Sequence, residues 1–208
     1  MVPTFTATEK EYIRDRLLES GRELFPLYGL KKTSLEDLTQ PAGIAKSSFY
    51  GFFESKEALY LELLMEERQR LRGEISTEAF MDTRDGREAV EHFLRAVVRE
   101  FETNPLTRRI VTHPEEWQAV VRRVPPELLE ANVQDSTQAV SYFIRQGQEA
   151  GLISAGDPEV LAGLIRSVVV LGIHKDDIGR DIYPEVMEKM IGLVANGLTC
   201  KERSRLHD

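Results

Sequence analysis

The sequence predicts an all-α protein, and three observations support this fold class. Apolar residues recur at helical spacing along almost the whole chain, whereas the alternating pattern of a β-strand is nearly absent. Prolines and glycines stand between these periodic segments, where they end one helix and begin the next. With 208 residues, of which 41% are hydrophobic and 30% are charged, the chain can bury a sizeable core.

Three helices are predicted near the N-terminus. The first is expected over 8–28, where it is followed by Gly29 in a left-handed C-terminal cap. Ser34 is the expected N-cap of a short second helix, with Asp37 three residues later in a capping-box position. A proline and a glycine then interrupt the chain, and a third short helix is expected over 45–52.

The rest of the chain contains six further helical segments. Pro114 interrupts one of them, so two short helices are expected there. The last two segments carry apolar residues on most sides, which is typical of helices that are covered on several faces. The expected ranges are 55–76, 84–103, 106–123, 126–150, 158–174 and 183–198.

The charge distribution limits how the chain could contact nucleic acid. The net charge is −8, which alone argues against a phosphate-binding surface. Residues 31–60 contain four basic and four acidic side chains, so this segment is neutral and the remainder carries the whole −8. A small neutral surface on an acidic body could still bind DNA, with modest non-specific affinity.

The sequence has no recognisable targeting signal and no pattern of catalytic residues, which predicts a cytoplasmic protein that is not an enzyme. We find no signal peptide, and no apolar run reaches the roughly 18 residues that a membrane helix needs. Cys200 is the only cysteine, so no intrachain disulfide can form, which suits a reducing compartment. No histidine pair has metal-ligand spacing and no nucleophile is paired with a base, so neither metal nor cofactor is predicted.

The segment 33–59 has the spacing of a helix-turn-helix. Small or apolar side chains recur where its two helices would meet, at Leu35, Leu38, Ala42, Gly43, Ile44, Phe49 and Phe53. Lys46, Ser47, Ser48 and Tyr50 remain free to face a groove. In such motifs the second helix enters the major groove of DNA and presents its N-terminal residues to base edges.

This segment resembles the N-terminal signature of the tetracycline-repressor (TetR) family of transcriptional regulators. The resemblance covers about 50 residues and rests on identical positions at Thr33, Ala42, Gly43, Tyr50, Phe53, Ser55, Lys56, Glu57 and Leu59. It implies a ligand-responsive repressor that binds double-stranded operator DNA as a homodimer.

The same resemblance implies which residues contact DNA. Tyr50 and Lys56 look like phosphate contacts, and the base-contacting residues would be Lys46, Ser47 and Ser48. For Lys46 a phosphate contact is an equal alternative. The full expected DNA-binding set is Thr33, Ser34, Lys46, Ser47, Ser48, Tyr50 and Lys56.

Three positions depart from the family pattern. Thr39 stands where alanine is usual, and Ser47 stands where glycine is common. Ala45 replaces the serine that usually caps the third helix, and alanine cannot accept that hydrogen bond. Ala45 and the acidic net charge keep one alternative open, a small-molecule-binding protein that has lost DNA recognition.

The resemblance further implies a DNA-binding domain over 1–54 and a helical effector-binding and dimerisation domain over 55–208. The last two helices would form a bundle between subunits, or else be buried within one protomer. The expected dimer residues are Leu164, Val168, Leu171, Met187, Met190, Ile191 and Val194. A pocket for a small-molecule effector would be lined by residues that ordinary core packing explains equally well, namely Phe93, Val97, Phe101, Ile110, His113, Trp117, Tyr142, Phe143 and Gln146.

Overall fold

The computed structural model describes residues 5–78, 85–173 and 175–199, and every regular element in these ranges is a helix. The predicted all-α fold class is therefore confirmed; Cys200 lies outside the described residues. None of the described helices is long and apolar enough to cross a membrane. In chain order the elements are α1 (Ala7–Lys32), α2 (Leu35–Thr39), a 3₁₀ helix (Lys46–Gly51), α3 (Lys56–Glu78), α4 (Gly86–Thr103), α5 (Pro105–Thr112), α6 (Pro114–Arg123), α7 (Pro126–Glu149), α8 (Pro158–Ile173), α9 (Lys175–Ile178) and α10 (Tyr183–Thr199).

Local sequence signals explain several helix ends. Thr6 begins α1 through a capping box with Glu9, whose backbone N–H donates to the Thr6 hydroxyl at 3.2 Å. Asn104 begins α5 by accepting hydrogen bonds from two backbone N–H groups of its first turn. Pro114 separates α5 from α6, which confirms the predicted break.

Gly29 ends the first regular stretch of α1, as expected, but its ψ differs from that of a left-handed cap. Helical geometry resumes over residues 30–32, so Gly29 forms a kink inside α1, with φ 78° and ψ 167°. That backbone conformation is essentially restricted to glycine, because a Cβ atom would clash with the neighbouring peptide groups. The glycine therefore redirects the last turn of α1.

The described chain packs as two compact units, of which the first comprises the residues up to Gln69 together with Asn104–Asn132. In this unit α1 packs against α2, α5 and α6, while α2 packs against the 3₁₀ helix. The fully buried side chains at its centre are Leu17, Phe25, Leu30, Leu38, Phe49, Leu59, Tyr60 and Leu63. This core fixes the position of the helix-turn-helix.

The second unit comprises Arg70–Thr103 and the residues from Val133 onward. Helix α4 packs against both α8 and α10, which also contact each other. Phe93 stacks on Phe143 with ring centroids 3.9 Å apart. Gly86 begins α4 so close to the Leu152 carbonyl that a Cβ atom would overlap it, which explains why glycine occupies this position.

The boundary between the packing units differs from the functional boundary expected after residue 54. The chain leaves the first unit within α3, returns to it at Asn104 and leaves it again within α7. The reason is that α5 and α6 pack against α1. The assignment of DNA binding to 1–54 and of effector binding to 55–208 stays a prediction.

Candidate nucleic-acid interface

The capping box predicted at Ser34 is present and begins α2. The Ser34 hydroxyl accepts from the backbone N–H of Asp37 at 3.1 Å, and the Asp37 carboxylate accepts from the backbone N–H of Ser34 at 2.9 Å. Hydrogen bonds from the Ser34 hydroxyl and backbone lower the pKa of the Asp37 carboxyl. The start of the supporting helix is thereby fixed by its own side chains.

Apolar side chains hold the 3₁₀ helix against the first core. Phe49 and Leu38 are fully buried, and Phe53 packs against Phe49 with ring centroids 5.9 Å apart. The guanidinium of Arg14 lies 4.8 Å from the centre of the Phe53 ring and donates to Glu62 at 2.6 Å. These contacts fix which side of the 3₁₀ helix faces solvent.

The predicted base-contacting residues lie on the solvent side of this helix. Lys46 and Ser47 are exposed, Ser48 is half-buried and the Tyr50 side chain is 61% exposed. Residues three apart share a face in a 3₁₀ helix, so Ser47 and Tyr50 lie on the same side. The structure brings together a short polar surface with one positive charge, which we call the Lys46–Tyr50 surface.

Ala45 leaves the start of the 3₁₀ helix without a side-chain cap, as predicted. Ala45 has extended backbone angles and makes no side-chain hydrogen bond at the helix start. Only its backbone carbonyl takes part, accepting from the Ser48 N–H at 2.8 Å. The geometry suits a serine or threonine cap, since those residues adopt the same backbone angles at N-caps.

Ala45→Ser is expected to stabilise the protein by about 0.5–1 kcal/mol, because the new hydroxyl can accept from a free backbone N–H of the first turn. Urea unfolding of the full-length variant measures this difference. Ala7→Ser, which lies one residue inside an already capped helix, is the control and should leave the free energy of unfolding within about 0.5 kcal/mol. Equal urea midpoints for Ala45→Ser and the parent would contradict the expectation that a hydroxyl at residue 45 caps the 3₁₀ helix.

Thr33 was predicted to contact DNA, but its side chain is buried and cannot reach a DNA surface. Its hydroxyl donates to the Gly29 carbonyl at 2.8 Å, and its backbone N–H donates to the same oxygen at 3.1 Å. The family match at this position reflects the packing of the α1 end instead. Ser34 remains exposed beside it.

Lys56 has a structural role that its sequence position did not reveal. Its ammonium donates to the Thr33 carbonyl at 2.9 Å and to the Lys31 carbonyl at 3.3 Å. An ammonium has three donors, so one remains available for a phosphate. Lys31 and Lys32 are exposed at the end of α1 and add two positive charges that the sequence-based set omitted.

The residues predicted to line an effector pocket are divided between the two units. Ile110, His113 and Trp117 belong to the first unit, whereas the second contains Phe93, Val97, Phe101, Tyr142, Phe143 and Gln146. Phe93 and Phe143 are buried core residues, while Tyr142 is 59% exposed. The Gln146 amide is exposed and donates to Glu149. A pocket formed by these residues stays a prediction.

Three residues predicted at a dimer interface are instead buried within the protomer. Val168, Met187 and Ile191 have 0%, 4% and 2% of their surface exposed. The prediction was wrong there because α8 and α10 are apolar on two sides and turn one of them toward α4. Leu171 and Val194 are half-buried against the same core, and Met190 is half-buried too.

The opposite sides of α8 and α10 leave other apolar side chains exposed. Leu164 is the one predicted residue among them, at 46% exposure. The others, which the sequence could not distinguish from core positions, are Val160, Val170 and Leu193. These helices therefore have an apolar surface that no described residue covers.

The sequence model for bacterial regulatory proteins of the tetR family matches residues 17–63, which contain the whole helix-turn-helix. This N-terminal segment therefore matches the DNA-binding part of that family. Its curated relative DhaR of Mycobacterium sp. (strain GP1), an HTH-type transcriptional repressor, is 39% identical over 54 residues, or 26% of this chain and 27% of DhaR. Curated relatives matched at this segment are covered over less than a third of their lengths.

Solved structures with low sequence identity share the fold over nearly the whole chain. A TetR-family regulator from Pectobacterium atrosepticum has a TM-score of 0.70 at 23% identity, covering 96% of this chain and 100% of its own. The regulator FadR of Bacillus subtilis, solved with stearoyl-CoA, has a TM-score of 0.62 at 16% identity, covering 88% and 98%. The helical part outside residues 17–63 thus has the fold of TetR regulators.

Proposed function

We propose that this chain is a TetR-family repressor that binds duplex DNA as a homodimer and dissociates from it when a small-molecule effector binds. The observation that carries the proposal is the Lys46–Tyr50 surface, which is polar and exposed above the apolar side chains of Leu38, Phe49 and Phe53. This surface follows a capped supporting helix and a glycine turn, which is the arrangement of a helix-turn-helix. In a protein that does not bind DNA, a solvated helix face would not require that arrangement. DhaR, which is a transcriptional repressor similar to this chain over the helix-turn-helix segment, supports the regulatory role.

The contacts to DNA would divide by chemistry. Lys31, Lys32 and Lys56 surround the end of α1 and would bind phosphate groups, which position a protein on the duplex without sequence preference. The Tyr50 hydroxyl would bind a phosphate as well. Ser47 and Ser48 would face base edges, and Lys46 would contact either a base or a phosphate. Because the net charge is −8, affinity for unrelated DNA should be low, and specificity should depend on the groove contacts.

Lys46→Ala is expected to reduce the salt dependence of DNA binding, lowering the slope of log affinity against log salt by about 1. Anisotropy titrations of a labelled duplex at several salt concentrations measure this slope. Arg180→Ala, which removes an exposed cation of the second unit, is the matched control and should leave the slope unchanged. If both variants keep the parental slope, Lys46 makes no phosphate contact.

The exposed apolar sides of α8 and α10 support the homodimer. Val160, Leu164 and Leu193 have 62%, 46% and 66% of their surface exposed, which is unfavourable for side chains of this size in water. Pairing these surfaces by a two-fold axis would bury them against their own copies. Two helix-turn-helix motifs related by that axis would then meet two half-sites on one face of the duplex.

The shared fold of FadR, which was solved with stearoyl-CoA, supports the proposal that residues 55–208 bind an effector. An effector would shift the protein from the DNA-binding state only through its higher affinity for another state. Native mass spectrometry of the purified full-length chain tests this part. A co-purified small molecule should be retained on the free dimer and absent from the DNA complex.

Selection from a random duplex library tests the proposed function as a whole. Full-length protein should enrich a sequence with two inverted half-sites at low salt, and that sequence upstream of a promoter should lower transcription in vitro. Enrichment of no sequence would reject the proposal in favour of a ligand-binding protein without DNA recognition. Increased transcription would reject the repressor role alone.

A further inference from the structure

A buried ion pair from α5 and α6 occupies the break in α1. In a continuous α-helix the Leu30 N–H would donate to the Pro26 carbonyl, four residues earlier. Here the Leu30 N–H donates to Glu116 Oε1 at 3.1 Å, and the Pro26 carbonyl accepts from Arg109 Nη1 at 3.3 Å. The two side chains thus replace one backbone hydrogen bond of α1.

Arg109 and Glu116 are themselves joined in a bidentate pair. Nη2 of Arg109 donates to Oε1 at 2.7 Å, and Nε donates to Oε2 at 3.0 Å. The side chains are only 15% and 7% exposed, and a Cβ atom on Gly29 would overlap both. The glycine, the kink and the ion pair therefore form one interlocked arrangement, although Leu30 and Glu116 are 86 positions apart along the chain.

The arrangement continues into the helix-turn-helix. The Gly29 carbonyl accepts from the hydroxyl and N–H of Thr33, and the Thr33 carbonyl accepts from Lys56. Ser34 follows directly and caps α2. The direction of the last turn of α1 therefore determines where the supporting helix starts.

We infer that Arg109 and Glu116 are positioning residues for DNA binding, because they hold the kinked end of α1 from which the helix-turn-helix begins. Their role does not require contact with DNA. Without an acceptor for the Leu30 N–H, the last turn of α1 opens, and the DNA-competent fraction of the protein falls. Apparent affinity falls in proportion to that fraction. The effect on DNA binding rests on the proposed function, whereas the effect on the Leu30 N–H does not.

Two double variants isolate the hydrogen bond to Leu30. Arg109→Met with Glu116→Gln keeps an acceptor at the kink, while Arg109→Met with Glu116→Leu removes it. Both lack the ion pair, so neither leaves an unpaired buried charge that could prevent folding. Arg180→Met with Asp176→Leu, which removes an exposed pair of the second unit, is the control for the loss of two charges.

Hydrogen exchange of the Leu30 amide is measured on each full-length variant without DNA. Anisotropy with the duplex selected by the parent protein then gives the affinity, at a temperature well below every unfolding transition. We expect fast Leu30 exchange and at least about tenfold weaker DNA binding for the leucine double variant than for the glutamine one, since a buried N–H is left unpaired only in the former. The control should match the parent in both measurements.

Equal affinities of the two double variants would overturn the inference, and so would weaker binding without faster exchange at Leu30. If the parent retains no duplex at all, the proposed function fails. The exchange comparison then decides by itself whether the acceptor at residue 116 holds the end of α1.

Discussion

Leu164→Asp combined with Leu193→Asp is expected to convert the proposed dimer into monomers and to weaken binding to a duplex with two half-sites by about a hundredfold or more. The first effect follows because two carboxylates per protomer would have to enter an apolar interface without partners. The second follows because each helix-turn-helix loses the high effective concentration that its linked copy provides. Leu164 and Leu193 are 46% and 66% exposed, so the protomer should still fold.

Light scattering coupled to size-exclusion chromatography measures the molar mass, and anisotropy measures the affinity. Val121→Asp with Leu128→Asp is the matched control, since both residues are comparably exposed but lie in the first unit. That control should remain dimeric. A parent that is monomeric, or a Leu164 and Leu193 double variant that stays dimeric, would contradict the proposed interface.

Gly29→Ala should destabilise the protein by about 3 kcal/mol or more, since it combines a backbone conformation costing about 1–3 kcal/mol for other residues with disruption of a buried ion pair. The new methyl group would overlap Arg109 and Glu116. Chemical unfolding of the full-length protein measures the loss, and DNA binding should fall with it.

Gly151→Ala is the control for a positive-φ glycine that has no neighbouring ion pair. Gly151 also has a positive φ of 69°, but a Cβ atom there would meet nothing within 4 Å. This control should cost about 1 kcal/mol and leave DNA binding intact. Equal losses of unfolding free energy for Gly29→Ala and Gly151→Ala would show that the ion pair tolerates a methyl group at residue 29.

The local parts of the candidate interface could be predicted from the sequence. The Ser34 capping box and the missing cap at Ala45 each depend on residues within one helical turn, and both are observed. The break at Pro114 is local in the same sense. Such features follow from side-chain chemistry and spacing, without knowledge of the rest of the chain.

The long-range parts could not be predicted in this way. Gly29 has the sequence signature of a helix end, but the sequence does not indicate that Arg109 and Glu116 fill the break that it makes in α1. For α8 and α10, an apolar pattern on most sides does not indicate which side meets the protomer core. Val168 and Leu164 are equally plausible interface residues by sequence, but the first is buried and the second exposed.

Binding of full-length protein to its selected duplex, with the mass of the complex measured at low salt, tests the central claim most directly. We predict one dimer on each two-half-site duplex, and an affinity that falls steeply between about 50 and 200 mM salt as counterions are released. A scrambled duplex of equal length should bind far more weakly. Retention of neither duplex at low salt would contradict the account of this chain as a DNA-binding regulator.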